Sequence, residues 1–299
     1  MSEEKQNHFI QIVRGFPFPF FNGFTVKNIE DAMDLVPEDD DIIIATYPKT
    51  GTTWMQYIVL QILSKGEHFP SFGDATFKVV PYIEMVGVAA VHAQKKPRCY
   101  KHHIAYNFVQ KNAKSKIIYA YRNPEDTVVS YYHFLINMGL MQIDFSQFFE
   151  NFVSGKIGYG NYFQHVLSFY EHRNDDNLLM VSYEKLHANR KEEILRIAKF
   201  LGEKYYQCLQ EDEELLDKIL LHTSFNYMKK NLTLIHPDVA AGVQKDPAED
   251  KFTANFFRKG IVGDGKATLS DNQRQILREA AVKVLKGTSI ISEWYCDEN

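Results

Sequence analysis

Residues 42–54 of the chain read IIIATYPKTGTTW, and this stretch decides the fold class. It opens with a short β-branched run, Ile42 to Thr46, of the kind expected for a fully buried parallel strand. Apolar side chains then recur at helical spacing, at Met55, Ile58, Val59, Ile62 and Leu63. The order of elements is therefore a strand, a glycine-containing loop and a helix.

The loop between this strand and this helix is suited to binding a phosphate or a sulfate. Backbone N–H groups at the start of a helix lack partners, and the helix dipole adds partial positive charge there. Lys49 brings a full positive charge, and Gly51 permits a tight turn. Hydroxyl donors come from the threonines Thr50, Thr52 and Thr53. The alternative is an ordinary threonine-rich helix start with an incidental lysine.

The same loop differs from the P-loop of nucleotide triphosphatases. In that motif, G-x-x-x-x-G-K-[ST], the lysine follows the second glycine. Here Lys49 precedes the only glycine of the loop. A kinase-like phosphotransferase is therefore a less favoured alternative, and a protein that binds a nucleotide without catalysis is another.

Strands and helices continue to alternate along the rest of the chain. Further strands are predicted over residues 98–103, 116–121 and 177–182. Helices are predicted after Pro124 and over residues 159–172 and 190–201. Ser270 and Gln273 have the spacing of a capping box ahead of a helix that runs to about Leu285.

This alternation predicts an α/β fold in which a central, mainly parallel sheet is flanked by helices. The sequence contains no repeat and no low-complexity linker, so we expect a single domain over residues 1–299. Residues 1–40, with an aromatic and proline-rich run, are expected to pack on the main body beside its pocket.

Composition limits the function classes. The 299 residues are 45% hydrophobic and 24% charged, which is typical of a folded protein, and a net charge of -4 argues against a general nucleic-acid binder. Cys99, Cys208 and Cys296 are odd in number and far apart, so reduced thiols are expected rather than disulfides or a zinc site. The N-terminus lacks a signal-peptide core, and apolar runs are too short for a membrane span. We expect a cytoplasmic protein with no metal and no membrane or nucleic-acid partner.

Two other segments carry candidate chemistry. Arg122 ends a predicted strand, where a guanidinium can bind a phosphate, and Ser130 follows about two helical turns later. By itself, Arg122 could equally pair with a nearby carboxylate, that of Glu125 or Asp126. Along the strand at 98–103, His102 and His103 point to opposite faces, and Lys101 shares the face of His103.

Three segments of the chain resemble segments of the cytosolic sulfotransferase family. Residues 47–54, YPKTGTTW, are similar to its 5′-phosphosulfate loop, which often reads YPKSGTTW. The stretch from Arg122 to Phe134 is similar to its 3′-phosphate segment, RNxxDxxVS-YYHF, and residues 256–266 are similar to its RKGxxGDW segment. The resemblance implies the P-loop-like sulfotransferase fold. It also implies the donor 3′-phosphoadenosine-5′-phosphosulfate (PAPS) and a sulfuryl transfer to the hydroxyl group of a small acceptor.

The resemblance also implies which residues bind the donor. Lys49, Gly51 and the three loop threonines would hold the phosphosulfate, and Trp54 would stack on the adenine. The 3′-phosphate would be held by Arg122, Ser130, Arg258, Lys259 and Gly260. Tyr183, Thr223 and Phe225 would complete the adenine pocket.

For catalysis, the family pattern K-T-H at residues 101–103 implies that His103 is the general base, with Lys101 and Lys49 as electrostatic partners. His102 stands where threonine is usual, and this departure leaves open which ring is catalytic. A planar phenol, catechol or phenolic monoamine is expected as the acceptor, and steroids or other alcohols are the alternative. Its expected contacts are Phe20, Tyr82, Met85, His103, Phe134 and Tyr159.

Two departures from the family lie near the C-terminus. Gly265 stands where tryptophan is usual, so a looser lid over the nucleotide is expected. Residues 266–275 correspond to the K-x-x-x-T-V-x-x-x-E dimer motif but lack its valine and glutamate. The expected assembly is therefore a monomer or a weak homodimer.

Overall fold

The computed structural model describes residues 9–69, 79–232 and 257–295. Its strands in these ranges are, in chain order, β1 (Ile10–Val13), β2 (Phe16–Pro19), β3 (Ile42–Thr46), β4 (Cys99–His102), β5 (Lys116–Tyr121) and β6 (Leu178–Ser182). Strands β3 to β6 form a parallel sheet in the order β4-β3-β5-β6, and β1 and β2 form a separate antiparallel hairpin.

Helices surround this sheet in the described part of the chain. The helices of the N-terminal half are α1 (Val26–Asp34), α2 (Thr52–Leu63), α3 (Ile83–Val86), α4 (Ala89–His92), α5 (Pro124–Asn137) and α6 (Phe145–Ser154). Those that follow are α7 (Tyr162–Tyr170), α8 (Tyr183–Ala188), α9 (Arg190–Leu201), α10 (Glu203–Glu211), α11 (Glu213–His222) and α12 (Phe225–Asn231). The last three are α13 (Asp264–Thr268), α14 (Asp271–Leu285) and α15 (Ser289–Trp294).

Both faces of the sheet are covered by a hydrophobic core. Successive side chains of each strand point to opposite faces, so both sets of side chains are apolar. Ile42 and Ile44 of β3 pack in one core with apolar residues of α2, α9 and α11. Ile43 and Ala45 pack in the other core with residues of α5 and α7. This double burial explains why β3 is a continuous apolar run, and it confirms the predicted α/β fold.

The parallel arrangement brings the carboxyl ends of the strands to one edge of the sheet. Thr46 ends β3, His102 ends β4 and Tyr121 ends β5, and the loops that follow them lie side by side. In open α/β sheets, ligands bind at this edge. The segments that carry the candidate residues therefore meet there.

The sequence missed the hairpin of β1 and β2, which holds the aromatic and proline-rich run. Pro17 and Pro19 obscure the strand pattern, although proline is acceptable in a strand at the edge of a sheet. The helix predicted over residues 159–172 begins only at Tyr162, because Tyr159 and Gly160 have positive φ angles of 71° and 70°. The capping box at Ser270 is confirmed, with both of its hydrogen bonds present.

Candidate active site

The loop after β3 holds Lys49 in a conformation that is uncommon for a residue with a side chain. Its φ angle is 69°, and that of Gly51 is 105°. A side-chain-bearing residue in the left-handed region is strained, and such residues concentrate at functional sites. The strained turn lets α2 begin directly after Gly51, with the N-terminus of that helix at the carboxyl edge of the sheet.

Thr50 anchors this loop from inside. Its hydroxyl group is fully buried and lies 2.8 Å from the carbonyl oxygen of Tyr47 and 2.9 Å from that of Ala120 on β5. The expectation that this hydroxyl faces the ligand is wrong, because its proton is used within the protein. Thr50 instead fixes the loop to the neighbouring strand.

A cavity of about 420 Å³ opens beside the loop and extends along the edge of the sheet. Most of the residues predicted for the site line it. These are Lys49, Gly51, Thr52, Thr53, Trp54, Tyr82, Met85, Lys101, His103, Arg122, Ser130, Phe134, Tyr159, Tyr183, Phe225, Arg258, Lys259 and Gly260. Three predicted residues do not line it: Phe20, Thr50 and Thr223.

Positive charge accumulates at the centre of the cavity. Burial, reinforced by the charges of Arg122, Lys101 and Arg258, lowers the pKa of Lys49 to about 7. The ammonium group of Lys49 lies 4.4 Å from the centre of the Phe134 ring. A lysine held at such a pKa by burial and like charges indicates a site prepared for an anion.

Arg122 has two sets of partners. Its Nη2 atom lies 3.0 Å from the carboxylate of Asp126 and 2.9 Å from the carbonyl oxygen of Ile261. The guanidinium also lies 4.2 Å from the centre of the Tyr183 ring and lines the cavity. The ion pair with Asp126 that the sequence allowed is therefore present, and Arg122 still lines the cavity while it forms this pair.

Asp126 also holds the C-terminal segment in place. Its carboxylate accepts hydrogen bonds from the backbone N–H groups of Gly263, at 3.0 Å, and Gly265, at 2.6 Å. A Cβ atom on Gly265 would lie 2.3 Å from the backbone carbon of Glu125. The missing side chain lets α13 approach the start of α5 closely, and the looser lid over the nucleotide expected at this position stays a prediction.

In the same segment, Arg258 and Lys259 both form ion pairs with Asp264. Phe257 through Ile261 line the cavity, whereas Phe256 of the predicted segment lies outside the described residues. Gly260 has a φ angle of 63°, and a Cβ atom there would lie 2.1 Å from the Phe225 ring. Only glycine allows this close approach.

Aromatic side chains form the end of the cavity near α8 and α12. The Trp54 and Tyr183 ring centres are 5.3 Å apart, and the indole N–H donates a hydrogen bond of 2.8 Å to the carbonyl oxygen of Thr223. The Thr223 hydroxyl is buried and donates to Ile219. The structure therefore corrects the predicted contact of Thr223, which positions Trp54 instead of lining the cavity.

His103 lies where the cationic and apolar parts of the cavity meet. Its Nδ1 atom is 2.7 Å from the carbonyl oxygen of Thr46 and 3.0 Å from the hydroxyl oxygen of the same residue. Because a carbonyl oxygen only accepts, Nδ1 carries the proton and Nε2 has a free lone pair. Burial, with Lys101 as the next cause, lowers the pKa of His103 well below its ordinary value.

His102 faces away from the cavity. Its Nδ1 atom accepts a hydrogen bond of 3.2 Å from the backbone N–H of Ile104, and burial lowers its pKa to about 3. Of the two histidines, His103 is the one that lines the cavity. The expected alternation of side chains along this strand therefore identifies His103 as the histidine that can contact a ligand in the cavity.

Glu84 is a site residue that the sequence analysis missed. It is fully buried, its Oε1 atom accepts a hydrogen bond of 2.6 Å from the backbone N–H of His103, and its Oε2 atom has no hydrogen-bond partner. Burial raises the pKa of Glu84 and lowers that of Lys101, whose ammonium lies 3.7 Å from the centre of the Tyr82 ring. A carboxylate inside the apolar stretch VPYIEMVG was the available signal.

The far end of the cavity is apolar. Phe20 is 60% exposed, so the predicted contact of this residue is wrong, and its neighbours Phe21 and Phe24 line the cavity instead. Tyr82, Tyr159 and Met85 lie there as predicted. Further lining residues that the sequence did not identify are Pro19, Tyr131, Leu135, Met138 and Leu140.

An anion-binding loop, a buried histidine and an apolar pocket in one cavity define a group-transfer enzyme that uses an anionic donor. The chain belongs to the sulfotransferase family, because the sequence model of that family, described as the sulfotransferase domain, matches residues 39–289. Sulfotransferase 1B1 of Mus musculus is 32% identical over 97% of this chain and 96% of its own length. Sulfotransferase 1E1 of Bos taurus is 35% identical over 83% of this chain and 84% of its own length.

Solved structures agree with this family. Mouse sulfotransferase SULT7A1, solved in complex with PAP, superposes with a TM-score of 0.75 at 25% identity and covers 96% of this chain and 98% of its own. A retinol dehydratase shares the fold, with a TM-score of 0.68 at 23% identity over 92% of this chain and 89% of its own. Within the described ranges, no helix has the length and apolar character needed to cross a bilayer.

Proposed function

We propose that the protein transfers a sulfuryl group from PAPS to the hydroxyl group of a small aromatic acceptor, a phenol, a catechol or a phenolic monoamine. His103 is the general base. The observation that carries this proposal is the Nδ1 contact of His103 with Thr46, because it leaves Nε2 unprotonated where the two halves of the cavity meet.

The residues present fit a nucleotide that bears phosphate groups at both ends. Lys49 and the start of α2 would hold the phosphosulfate, and Arg122, Ser130, Arg258 and Lys259 would hold the 3′-phosphate. Trp54, Tyr183 and Phe225 provide rings for the adenine. Because Gly260 lies against the Phe225 ring, the cavity wall at Gly260 consists of backbone atoms with no side chain. The donor supplies an activated sulfuryl group.

The chain's own groups then manage charge and the proton. Nε2 of His103 accepts the proton of the acceptor hydroxyl, which a neutral imidazole can do. Lys101 places positive charge beside the histidine, and Lys49, which lies near Lys101, adds a second charge in the same cavity, where both stabilise negative charge that develops during transfer. His103 is buried and the two lysines are partly buried, so the interactions between them are stronger than in bulk water.

The apolar end of the cavity favours a neutral aromatic acceptor over an acceptor that carries a charge. Its wall consists of aromatic rings, proline, leucine and methionine, which suits a flat ring. Among the described residues that line the cavity, none is an aspartate or a glutamate, so a carboxylate for an ammonium group is absent from this set. Neutral phenols and catechols are therefore the best supported members of the proposed class.

An acceptor panel with labelled PAPS tests the proposal. We expect transfer to phenols and catechols, smaller transfer to phenolic amines and the least to steroids. The ligand for binding tests is 3′,5′-bisphosphoadenosine (PAP), the product that the donor leaves after transfer. Strong stabilisation of the protein by magnesium-ATP but not by PAP would contradict the donor assignment. A wild-type protein that binds PAP yet transfers to no acceptor would instead support a nucleotide binder without catalysis. The cytoplasmic location and the monomer or weak homodimer stay predictions.

A further inference from the structure

Two tyrosine hydroxyl groups meet at the apolar end of the cavity. Tyr82 and Tyr159 hydrogen-bond to each other through their hydroxyl oxygens, and both side chains line the cavity. Their ring centres lie 5.1 Å and 5.2 Å from that of His103, each edge-on to the imidazole. The pair is therefore next to the proposed base.

The backbone holds Tyr159 in this place against its own preference. Its φ angle of 71° is in the left-handed region, which a tyrosine rarely adopts. Its N–H donates a hydrogen bond of 2.8 Å to the carbonyl oxygen of Pro17 on β2, so the hairpin fixes the turn. Strain of this kind persists only where surrounding contacts enforce it, and it is frequent at binding sites.

The pair can donate one hydrogen bond to a ligand. Burial raises the pKa of both phenols well above the ordinary value, so each keeps its proton at neutral pH. Two hydroxyl groups carry two protons, and the bond between them uses one. The second proton stays on one of the two hydroxyl groups, and an oxygen of an acceptor bound against these two side chains can receive it.

We propose that the hydroxyl pair of Tyr82 and Tyr159 is a subsite for a second oxygen on the acceptor, next to the hydroxyl that reacts at His103. This inference rests on the proposed function and narrows its acceptor to catechols. Both rings flank the same imidazole, so an oxygen on the adjacent ring carbon is the substituent that lies nearest the pair. A wall of phenylalanines would leave that oxygen without a hydrogen bond, at a cost in binding.

The test compares kcat/KM for 4-methylcatechol and 4-methylphenol in the wild type and in the double variant Tyr82→Phe/Tyr159→Phe, because either single variant keeps one hydroxyl group that can still donate. Losing one hydrogen bond of about 1.4 kcal/mol corresponds to a tenfold change. We expect the catechol-to-phenol ratio to fall about tenfold in the double variant, with a smaller change for 4-methylphenol.

Tyr57→Phe is the matched control, because the Tyr57 hydroxyl is buried on α2 without a hydrogen-bond partner and Tyr57 does not line the cavity. The catechol-to-phenol ratio of kcat/KM in Tyr57→Phe should equal that of the wild type. Thermal melts with PAP show whether the double variant folds, and Tyr82→Leu/Tyr159→Phe, which also lacks both hydroxyl groups, replaces it if it does not. An unchanged ratio in a folded variant of an active enzyme overturns the inference. A wild type that transfers to neither acceptor overturns the proposed function itself.

Discussion

The Nδ1 atom of His103 lies 2.7 Å from the carbonyl oxygen of Thr46, the last residue of β3. The strand that leads into the Lys49 loop therefore also fixes the tautomer of the histidine, since the carbonyl can only accept a hydrogen bond. Thr46 Oγ1 lies a further 2.7 Å from Thr52 Oγ1, at the start of α2. The proposed base and the proposed anion site thus share one structural support.

Replacement of His103 with alanine should abolish transfer while PAP still binds. The base provides the path for the acceptor proton, and loss of a general base costs about 10²–10⁴-fold in rate. The measurement is kcat with a phenol, together with the Kd of PAP by calorimetry.

His102→Thr is the matched control for that variant. His102 faces away from the cavity, and threonine stands at this position in the family pattern K-T-H that residues 101–103 resemble. It should keep most of the activity. If His102→Thr lost activity as completely as His103→Ala, the assignment of the base to His103 would be wrong.

The affinity for PAP should decrease as the pH rises above about 7. Burial and the neighbouring cations lower the pKa of Lys49 to about 7 in the unliganded protein. A bound anion favours the charged lysine and raises that pKa, so binding above pH 7 takes up a proton. Kd should therefore rise by up to about tenfold per pH unit between this pKa and the higher pKa of the complex.

Calorimetry at pH 8 in buffers of different ionisation enthalpy measures this proton uptake directly. Lys49→Met should bind PAP more weakly and should take up fewer protons. Lys101, whose pKa burial also lowers, remains in the variant and accounts for the residual uptake. Equal proton uptake by the variant and the wild type would rule out Lys49 as the titrating group.

The glycines near the C-terminus allow steric contact to be separated from backbone strain. Gly260 and Gly263 both have positive φ angles, 63° and 90°, so alanine is strained at either position by about 1–3 kcal/mol. Only at Gly260 would the new Cβ atom meet a neighbour, the Phe225 ring at 2.1 Å. Gly260→Ala should therefore weaken PAP binding more than tenfold, and Gly263→Ala by much less. Similar Kd values for the two variants would contradict this role of the Phe225 contact.

Glu84→Gln should move the alkaline limb of the kcat/KM profile to lower pH. Glutamine keeps an oxygen for the N–H of His103 but cannot gain the negative charge with which Glu84, whose pKa burial raises to about 8, supports the ammonium of Lys101 as the pH rises. The pKa of Lys101, already lowered by burial, then falls further, and the lysine loses its proton earlier as pH rises. Tyr82 and Tyr159 also face Glu84, but burial keeps them neutral across this range.

The readout is kcat/KM for a phenol from pH 6 to 9.5 in the wild type and Glu84→Gln, at saturating PAPS so that the bound donor keeps Lys49 charged. Glu125→Gln is the control, because Glu125 lies beside Arg274, away from the cavity that contains Lys101. An alkaline limb that stays in place in Glu84→Gln would show that Glu84 supports the site only through its hydrogen bond.

The sequence predicted the strand, loop and helix around Lys49 because apolar periodicity and glycine are local signals. It could not predict that the Thr50 hydroxyl turns inward, since this depends on a carbonyl of β5 that is far away in sequence. The exposure of Phe20 likewise depends on a hairpin whose prolines hide its pattern. Glu84 was missed because a buried carboxylate is defined by its partners in three dimensions.

Gly265 provides the last test, of how the C-terminal segment is held against the donor site. Its φ angle is not in the positive range, so alanine adds no backbone strain, but the new Cβ atom would lie 2.3 Å from the backbone of Glu125. That backbone belongs to α5 and cannot move aside as a flexible side chain would. The hydrogen bond from Gly265 to Asp126 would lengthen, and with it the support of Arg122.

Gly265→Ala should therefore lower Tm by several degrees and weaken PAP binding together. Gly287→Ala is the control, because Gly287 has a φ angle of 85°, no atom within 4 Å of its new Cβ, and no place in the cavity. It should lose stability through strain alone and keep the wild-type Kd for PAP. If Gly265→Ala lost stability but kept its Kd, the contact between α13 and α5 would serve the fold without positioning Arg122.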